Sequence, residues 1–347
     1  MGKKRISYLD MVKGIGIILV VFGHSTCAPA EVLTWIVSFH MPLFFIVSGM
    51  LIYHVREEDR NMKVCVRKKL KTLMLPYITF SIIYILIKIF FLFVIPSWMT
   101  KDQLLQAIYQ TVTLYGISVM WFLPALFLGQ IVFLGVRKLR KYREGATITV
   151  AIGLAIVPIY LKPVVEKIEI LGLRYFAYVL LRASIAFAFI TLGYYAKKYF
   201  IKEREKKSIW EFVLGVVLLI LLVCMRDVNT RVDMNFVVFG KYPLVFYVNA
   251  VIGSMSIVLI CKNMKTIRTL VYLGANSLVI MATHIECQVL RLSILFASTI
   301  SRYSPCAKGY VFYLSMILGV VVMEVISIYI FNNYLYFLIG KKKGRNK

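Results

Sequence analysis

Residues 8–27 read YLDMVKGIGIILVVFGHSTC, and this stretch decides the fold class of the chain. Most of it is an apolar run rich in β-branched residues, as expected of a helix that crosses a membrane. It also carries three ionisable residues, Asp10, Lys13 and His24. Because lipid penalises ionisable groups heavily, such residues within a span usually mark a pathway or a reaction site. The stretch therefore predicts a membrane helix with a chemical role.

The composition of the whole chain predicts an integral membrane protein. Of the 347 residues, 60% are hydrophobic and 17% are charged, and the mean hydropathy is +0.79. Soluble domains are closer to half apolar and about a quarter charged. The net charge of +26 comes from short basic clusters between apolar runs, so it reflects membrane topology and argues against nucleic-acid binding. The six cysteines lack the spacing of a metal site, and we expect no bound metal.

Apolar runs of about 20 residues, the length that crosses a bilayer, recur along the chain and predict about ten spans. We place them at 8–28, 32–53, 72–95, 117–136, 146–161, 177–196, 209–225, 243–261, 270–297 and 311–339. The expected fold class is all-α, a polytopic membrane helix bundle. The first run also has the basic start of a cleaved signal peptide, but its aspartate and histidine favour a retained helix. We assign residues 1–340 to one membrane domain and 341–347 to a basic cytoplasmic tail.

The basic residues in the loops predict the orientation of the bundle. Segments such as HVREEDRNMKVCVRKKLK (54–71) and KKKGRNK (341–347) alternate with loops that are poor in lysine and arginine. The predicted spans put roughly 29 basic residues on one side and roughly 9 on the other, and basic residues accumulate on the cytoplasmic side. Both termini are therefore expected in the cytoplasm.

The ionisable residues of the first helix share one face. At 100° per residue, Asp10, Lys13 and His24 fall within a wedge of roughly 60°. Lys13 and His24 are eleven residues apart, which is about 16 Å along a helix. Lys13 is then near the cytoplasmic end and His24 is in the outer half. Gly14 and Gly16 leave room for another helix or a ligand to approach closely beside Lys13.

The second predicted span, VLTWIVSFHMPLFFIVSGMLIY (32–53), carries another histidine. His40 lies some eight residues into the span, so the first hairpin brings two histidines to comparable depths. Pro42 removes a backbone hydrogen bond and is expected to bend this span. Ser48 and Gly49 provide a small site for close packing. A lone intramembrane histidine is usually a packing residue, but two of them near a carboxylate and a lysine favour a function.

Later spans carry further ionisable residues with simpler interpretations. Lys88 and Arg182 lie toward outer ends of spans, where long basic side chains can snorkel to the interface. Glu324 lies about midway along the last span, and we expect it to pair with a basic group from another helix, such as Lys88 or Arg182. His284 and Glu286 lie in the ninth span.

The opening motifs resemble those of membrane acyltransferase family 3. YLDMVKGIGIILVVFGH (8–24), followed by SFHMPLFFIVSGMLIY (38–53), is similar to the first two helices of that family and in particular of its fucose 4-O-acetylase-like branch. The family has a basic residue, ten intervening positions and a histidine in its first helix. Lys13 and His24 match this motif, with lysine where arginine is commoner.

A second motif extends the resemblance. VRKKLKTLMLPY (66–77) resembles the basic motif that precedes the third helix of the family, with Arg67 and Lys71 at its first and last basic positions. The resemblance implies transfer of an acyl group, usually acetyl, from cytoplasmic acetyl-coenzyme A to a hydroxyl of a cell-surface glycan or its precursor. It also implies a multi-pass protein of a bacterial cytoplasmic membrane.

The resemblance and the charges together assign roles to the candidate residues. Coenzyme A is a polyanion that cannot enter lipid, so we expect Lys13, Arg67 and Lys71 to bind its phosphates at the cytoplasmic mouth. Its pantetheine arm would then carry the thioester toward His24, the expected general base. An acetyl-histidine intermediate is the alternative mechanism. Asp10, the second catalytic candidate, is too far from His24 to orient it and is expected to hold Lys13 or to shape the mouth.

The remaining candidates concern the acceptor. We expect acceptor-side roles among five residues: His40, Ser48, Trp121, His284 and Glu286. The expected partners are acetyl-coenzyme A as co-substrate, a glycan or lipid-linked saccharide as acceptor, and the bilayer. A transporter or flippase of a saccharide or small solute would share the ten-span layout and is the alternative. Transporters often show internal symmetry, and no repeat is visible in this sequence.

Overall fold

Helices make up the computed structural model, which describes residues 5–25, 29–94, 100–139, 144–201, 207–303 and 308–342. These residues form fifteen α-helices and no β-strand. The helices are α1 (Ser7–His24), α2 (Ala30–Val37), α3 (His40–Val55), α4 (Met62–Lys69), α5 (Leu75–Val94), α6 (Lys101–Val112), α7 (Phe122–Leu139), α8 (Glu144–Glu166), α9 (Leu171–Tyr195), α10 (Ile209–Cys224), α11 (Pro243–Asn263), α12 (Arg268–Ala275), α13 (Ser277–Glu286), α14 (Val289–Ser301) and α15 (Lys308–Asn333). The expected all-α fold is confirmed.

Most of the ten expected spans have a counterpart in the structure. Within the described residues, eight helical segments are long and apolar enough to cross a membrane, and the bent pair α13–α14 makes a ninth. Helix α10 stands where a further span was expected, but it has only 16 residues. The fold is therefore a polytopic membrane helix bundle. Of the expected tail, residues 343–347 lie outside the described residues, and the division at residue 340 stays a prediction.

Close helix packing around glycines fixes the position of α1. A Cβ atom on Gly14 would collide with the backbone carbonyl of Leu270 in α12, and one on Gly274 would collide with the carbonyl of Asp10. The backbones of α1 and α12 therefore approach more closely than side chains would allow. The helix expected to approach closely beside Lys13 is therefore α12.

The second span is interrupted one turn before Pro42, the residue that the sequence indicated. Helix α2 ends at Val37 and α3 begins at His40, so the break falls at Ser38 and Phe39. Pro42 lies in the first turn of α3, and its missing N–H and its ring act on the carbonyl of Ser38, four residues earlier. The interruption therefore falls where Pro42 was expected to disturb the span.

The ninth span is also broken. Helix α13 ends at Glu286, Gln288 adopts a left-handed conformation with φ of 62°, and α14 continues at an angle of 61° to α13. This bend leaves His284 and Glu286 in the last turn of α13. Both side chains are fully buried.

Candidate functional site

Helix α1 separates the candidate residues into two groups. It runs without a break from Ser7 to His24, so Lys13 and His24 are about 16 Å apart along its axis. We call the end of the bundle that contains Lys13 the basic end and the end that contains His24 the histidine end. Each end holds a cavity.

The cavity at the basic end is large and strongly cationic. We call it the basic cavity; its volume is about 1250 Å³. Its lining contains, among the described residues, no acidic side chain and seven basic ones: Arg5, Arg67, Lys68, Lys71, Arg268, Lys341 and Lys342. Arg67 and Lys71, the two residues of the second motif, are thus brought together as expected of an anion site.

Lys341 shows how crowded the positive charges are. Its Nζ atom donates hydrogen bonds to Asn332 Oδ1 at 2.6 Å and to Asn276 Oδ1 at 3.3 Å. Burial, together with the positive charges of Arg5 and Lys13, holds the pKa of Lys341 below its usual range. Binding of a polyanion would relieve this repulsion.

Lys13 and Asp10 lie beside this cavity as an ion pair. The Nζ atom of Lys13 is 2.7 Å from Asp10 Oδ1, and Arg5 also contacts the Asp10 carboxylate. Asp10 is only 4% exposed, so its charge is held between two cations. The structure therefore places Asp10 with Lys13, fourteen residues from His24, and brings it into no contact with the histidine end.

Glu57 positions the basic helix α4 against this end of the bundle. Its buried carboxylate accepts hydrogen bonds from Lys69 Nζ at 2.6 Å and from Lys68 Nζ at 3.1 Å. Burial alone would raise the pKa of Glu57, but the interactions with Lys69 and Lys68 outweigh it and hold this pKa below its usual range. The carboxylate therefore stabilises the fold as long as it is charged.

We expect Glu57→Gln to destabilise the protein in a pH-dependent way. At pH 7 the loss will be about 3–5 kcal/mol, because the substitution leaves buried Lys69 without its counter-charge. The contribution of Glu57 is present above its unfolded pKa of about 4.3 and is lost as the pH falls through the lower folded value. Thermal unfolding of both proteins in detergent will show that the difference in their stability becomes smaller between pH 5 and pH 3. A difference that stays constant would contradict this role of Glu57.

The cavity at the histidine end is smaller and holds the expected reactive group. We call it the histidine cavity; its volume is about 280 Å³. His24, His40 and Trp121 all line it, so three of the predicted residues come together. The side chain of His24 is exposed because it faces this space. His40 is mostly buried, and its Nδ1 atom lies 2.9 Å from the carbonyl oxygen of Ile36.

Two further predicted residues pack behind the lining. The rings of His284 and His24 have centroids 5.4 Å apart and an angle of 44° between their planes. Glu286 Oε1 accepts a hydrogen bond from the backbone N–H of Val119 at 3.3 Å. Ser118, which precedes Val119 in the turn that carries Trp121, has a positive φ of 45°, a strained conformation that is common at ligand sites. Glu286 thus supports the turn that presents Trp121.

Ser48 is an acceptor-side candidate that the structure does not bring to the histidine cavity. It accepts a hydrogen bond from Gln130 Nε2, which joins α3 to α7. Ser48 lies eight residues from His40 along α3, about 12 Å nearer the basic end, and is not part of the cavity lining. We therefore leave Ser48 out of the site.

The loop between α10 and α11 contributes residues that sequence reasoning missed. Arg231, Asp233 and Asn235 line the histidine cavity. Asp233 Oδ1 accepts hydrogen bonds from the backbone N–H groups of Asn235 at 2.9 Å and Phe236 at 3.3 Å, which hold its carboxylate in the cavity lining that it shares with His24. The sequence holds no signal for this, because the loop reaches His24 only through the tertiary fold.

Arg182 fastens this loop to the bundle. It is 1% exposed, so the expectation that it snorkels to the interface is wrong. Its Nε and Nη1 atoms donate hydrogen bonds to the carbonyl oxygens of Asn235 at 2.7 Å and Tyr115 at 2.6 Å. The guanidinium carbon also lies 4.1 Å from the centroid of the Tyr115 ring, a cation–π contact. The sequence did offer one signal for this role, because an arginine inside an apolar span needs buried hydrogen-bond partners.

Glu324 has a different partner from the one expected. Its Oε2 atom accepts a hydrogen bond from Thr283 Oγ1 at 2.8 Å, and among the described residues its Oε1 atom has no partner. Lys88 instead lies over the ring of Tyr84, 4.8 Å from its centroid. The expected pairing with Lys88 or Arg182 is therefore wrong.

Several buried polar atoms around the histidine cavity lack partners within the described part of the chain. They are His284 Nε2, Glu286 Oε2 and Arg182 Nη2. Each such atom costs about 1–3 kcal/mol, which folded proteins accept mainly at functional sites. Within the same described residues, no group of three or more His, Cys, Asp or Glu side chains is arranged to hold a metal ion.

Comparison with known proteins places the chain in a family. The model of acyltransferase family 3, described as an acyltransferase domain, matches residues 6–331 and so includes His24 and Arg67. No curated protein and no solved structure matches the chain. The family match covers nearly all of the sequence, and the apolar helices supply the spans that a membrane enzyme needs. The chain therefore belongs to acyltransferase family 3 and is a multi-pass membrane acyltransferase.

Proposed function

We propose that this acyltransferase transfers an acetyl group from acetyl-coenzyme A to a hydroxyl of a cell-surface glycan or its precursor. The observation that carries the proposal is the arrangement of two cavities at the two ends of α1, one cationic and the other containing His24. The basic end then faces the cytoplasm of a bacterium, whose membrane holds the bundle. Membership in the fucose 4-O-acetylase-like branch is part of the same proposal and rests on the opening motifs.

The donor binds with its phosphates at the basic end. Arg67 and Lys71, together with the other cations of the basic cavity, neutralise phosphate groups that could not enter lipid. Lys13 lies beside the basic cavity, where its ion pair with Asp10 holds it. The pantetheine arm extends along α1 and carries the thioester over the distance of about 16 Å between Lys13 and His24.

The acceptor occupies the histidine cavity. Its reacting hydroxyl donates to His24, and its ring lies against Trp121, an arrangement that suits the amphipathic faces of a sugar. His40 and Asp233 face the same space and can accept hydrogen bonds from neighbouring hydroxyls. A volume of about 280 Å³ is on the scale of one sugar unit.

His24 acts as the general base of the transfer. It takes the hydroxyl proton as that oxygen attacks the thioester carbonyl, a role that typically gives about 10²- to 10⁴-fold in rate. Collapse of the tetrahedral intermediate breaks the carbon–sulfur bond, and the proton on His24 passes to the departing thiolate. Attack by His24 itself, through an acetyl-histidine intermediate, is the alternative route to the same products.

The test uses sealed inside-out membrane vesicles supplied with acetyl-coenzyme A that is radiolabelled in its acetyl group. We expect label to accumulate in the glycan fraction of vesicles that contain the protein and not in vesicles that lack it. Mild alkali should release this label, because the new bond is an ester. Uptake of saccharide without any transfer of label would instead identify a transporter or flippase and would overturn the proposal.

A further inference from the structure

His284 is a buried residue whose position suggests a role in the reaction. Helix α13 places its ring behind His24 and away from the cavity space, and the side chain is fully buried. The two ring centroids are 5.4 Å apart. A residue in this position can act on the acceptor only through His24.

The hydrogen bond of His284 to the backbone fixes where its proton resides. Its Nδ1 atom is 2.9 Å from the carbonyl oxygen of Ile280, one turn earlier in α13. A carbonyl oxygen only accepts hydrogen bonds, so Nδ1 carries the proton. In the neutral ring, Nε2 is then left with a free lone pair.

That lone pair has no partner among the described residues. His284 Nε2 is buried and forms no hydrogen bond there, and the ring of His24 lies beside it. With centroids 5.4 Å apart, the nearest ring nitrogens can approach to roughly 3 Å after a small rotation, which is hydrogen-bond distance. His24 can therefore supply the missing donor.

We infer that His284 is a positioning residue for His24. Its Nε2 atom accepts a hydrogen bond from one ring nitrogen of His24, so that the other nitrogen of His24 turns its lone pair toward the acceptor hydroxyl. When His24 takes the hydroxyl proton, both of its nitrogens carry protons, and the bond to His284 holds the resulting imidazolium in place. This inference rests on the proposed function of His24 as general base.

The neighbouring charges are arranged consistently with this role. Asp233, from the loop over the cavity, lines the same space as His24 and can face the imidazolium when it forms. His284 itself contacts no carboxylate among the described side chains, so it stays a neutral acceptor. His24 thus has a neutral partner on the buried side and a charged loop on the open side.

The direct test is nitrogen NMR of the histidine rings, because the chain has only four histidines. In ¹⁵N-histidine-labelled protein in nanodiscs, we expect His284 to be the tautomer protonated at Nδ1 and His24 to occupy one tautomer. In His284→Phe, which keeps a ring of similar size without nitrogen, His24 should become a mixture of tautomers. An Nε2-protonated His284, or an unchanged His24 in the variant, would overturn the inference.

Kinetics give a second and independent readout. We expect His284→Phe to lower kcat at least about tenfold with the KM for acetyl-coenzyme A unchanged. His284→Gln, whose amide oxygen can accept near the position of Nε2, should recover part of this loss, and His54→Phe, at the far end of α3, should behave as wild type. Gln and Phe variants that are equally slow, or a loss in KM alone, would contradict a positioning role.

The outcomes separate this inference from the proposed function. If His24→Ala abolishes transfer while His284→Phe is fully active, only the role of His284 is wrong. If both variants transfer acetyl groups as wild type does, the proposed function of His24 is wrong as well.

Discussion

Replacing His24 by alanine should lower kcat for acetyl transfer by about 10²- to 10⁴-fold, the usual contribution of a positioned general base. The imidazole of His24 faces the histidine cavity, and the structure offers the acceptor hydroxyl no equivalent base on α1. The KM for acetyl-coenzyme A should change little, because the charges that hold the donor are at the other end of α1. Steady-state transfer of labelled acetyl groups measures both constants.

Two controls make the His24 result specific. His54→Ala removes a histidine from the basic end of α3 and should leave kcat unchanged. A His24→Ala protein that elutes as wild type in size-exclusion chromatography shows that the bundle is intact. Normal transfer by this intact variant would refute the assignment of His24.

Removing two charges from the basic cavity should have the second largest effect. In Arg67→Gln/Lys71→Gln we expect the KM for acetyl-coenzyme A to rise by about 10²-fold with kcat nearly unchanged, because a hydrogen bond to a charged group contributes about 1.5–3 kcal/mol. The KM of the wild type should also rise with salt more steeply than that of the variant, since screening acts on the charges that were removed.

Lys63→Gln provides the matched control for the basic cavity. Lys63 lies on the same helix, α4, but its exposed side chain is not part of the cavity lining. Its loss should leave the donor KM unchanged. Equal effects of Lys63→Gln and of the double variant would mean that general surface charge, and not the cavity, attracts the donor.

The sequence predicted the fold well because membrane spans have a local signal. Long apolar runs specify the helices, and glycines such as Gly14 mark where helices approach closely. The sequence also indicated the break in the second span, because a proline disturbs the helix one turn before itself. The interruption at Ser38 and Phe39 lies one turn before Pro42.

The site was predicted where it is built on α1 and missed where it comes from distant parts of the chain. The spacing of Lys13 and His24 along one helix fixes their separation in advance. Asp233 and Asn235 reach the cavity through a loop, and Arg182 holds that loop by one hydrogen bond to the carbonyl of Asn235. A second hydrogen bond joins Arg182 to Tyr115, outside the loop, and sequence spacing carries no record of such contacts. Ser48 shows the opposite case. It is near His40 in the sequence, but its side chain packs between helices α3 and α7 and does not line the cavity.

The central claim is that one donor molecule enters at the basic end and reaches His24 through the protein. Val20 lines the histidine cavity one turn before His24, so Val20→Cys in a protein without its native cysteines places a thiol there. Coenzyme A activated as its mixed disulfide with thiopyridine would exchange with this thiol, and intact-protein mass spectrometry would detect the adduct.

The account predicts that the adduct forms in inside-out vesicles, that excess acetyl-coenzyme A suppresses it, and that Arg67→Gln/Lys71→Gln slows it. Right-side-out vesicles should give much less, because coenzyme A cannot cross lipid to reach the basic cavity that binds it. Phe93→Cys, on the exposed surface of α5, should form no adduct with coenzyme A in the same vesicles. An adduct at Val20→Cys that forms equally from either side, or no adduct from the basic side, would contradict the account.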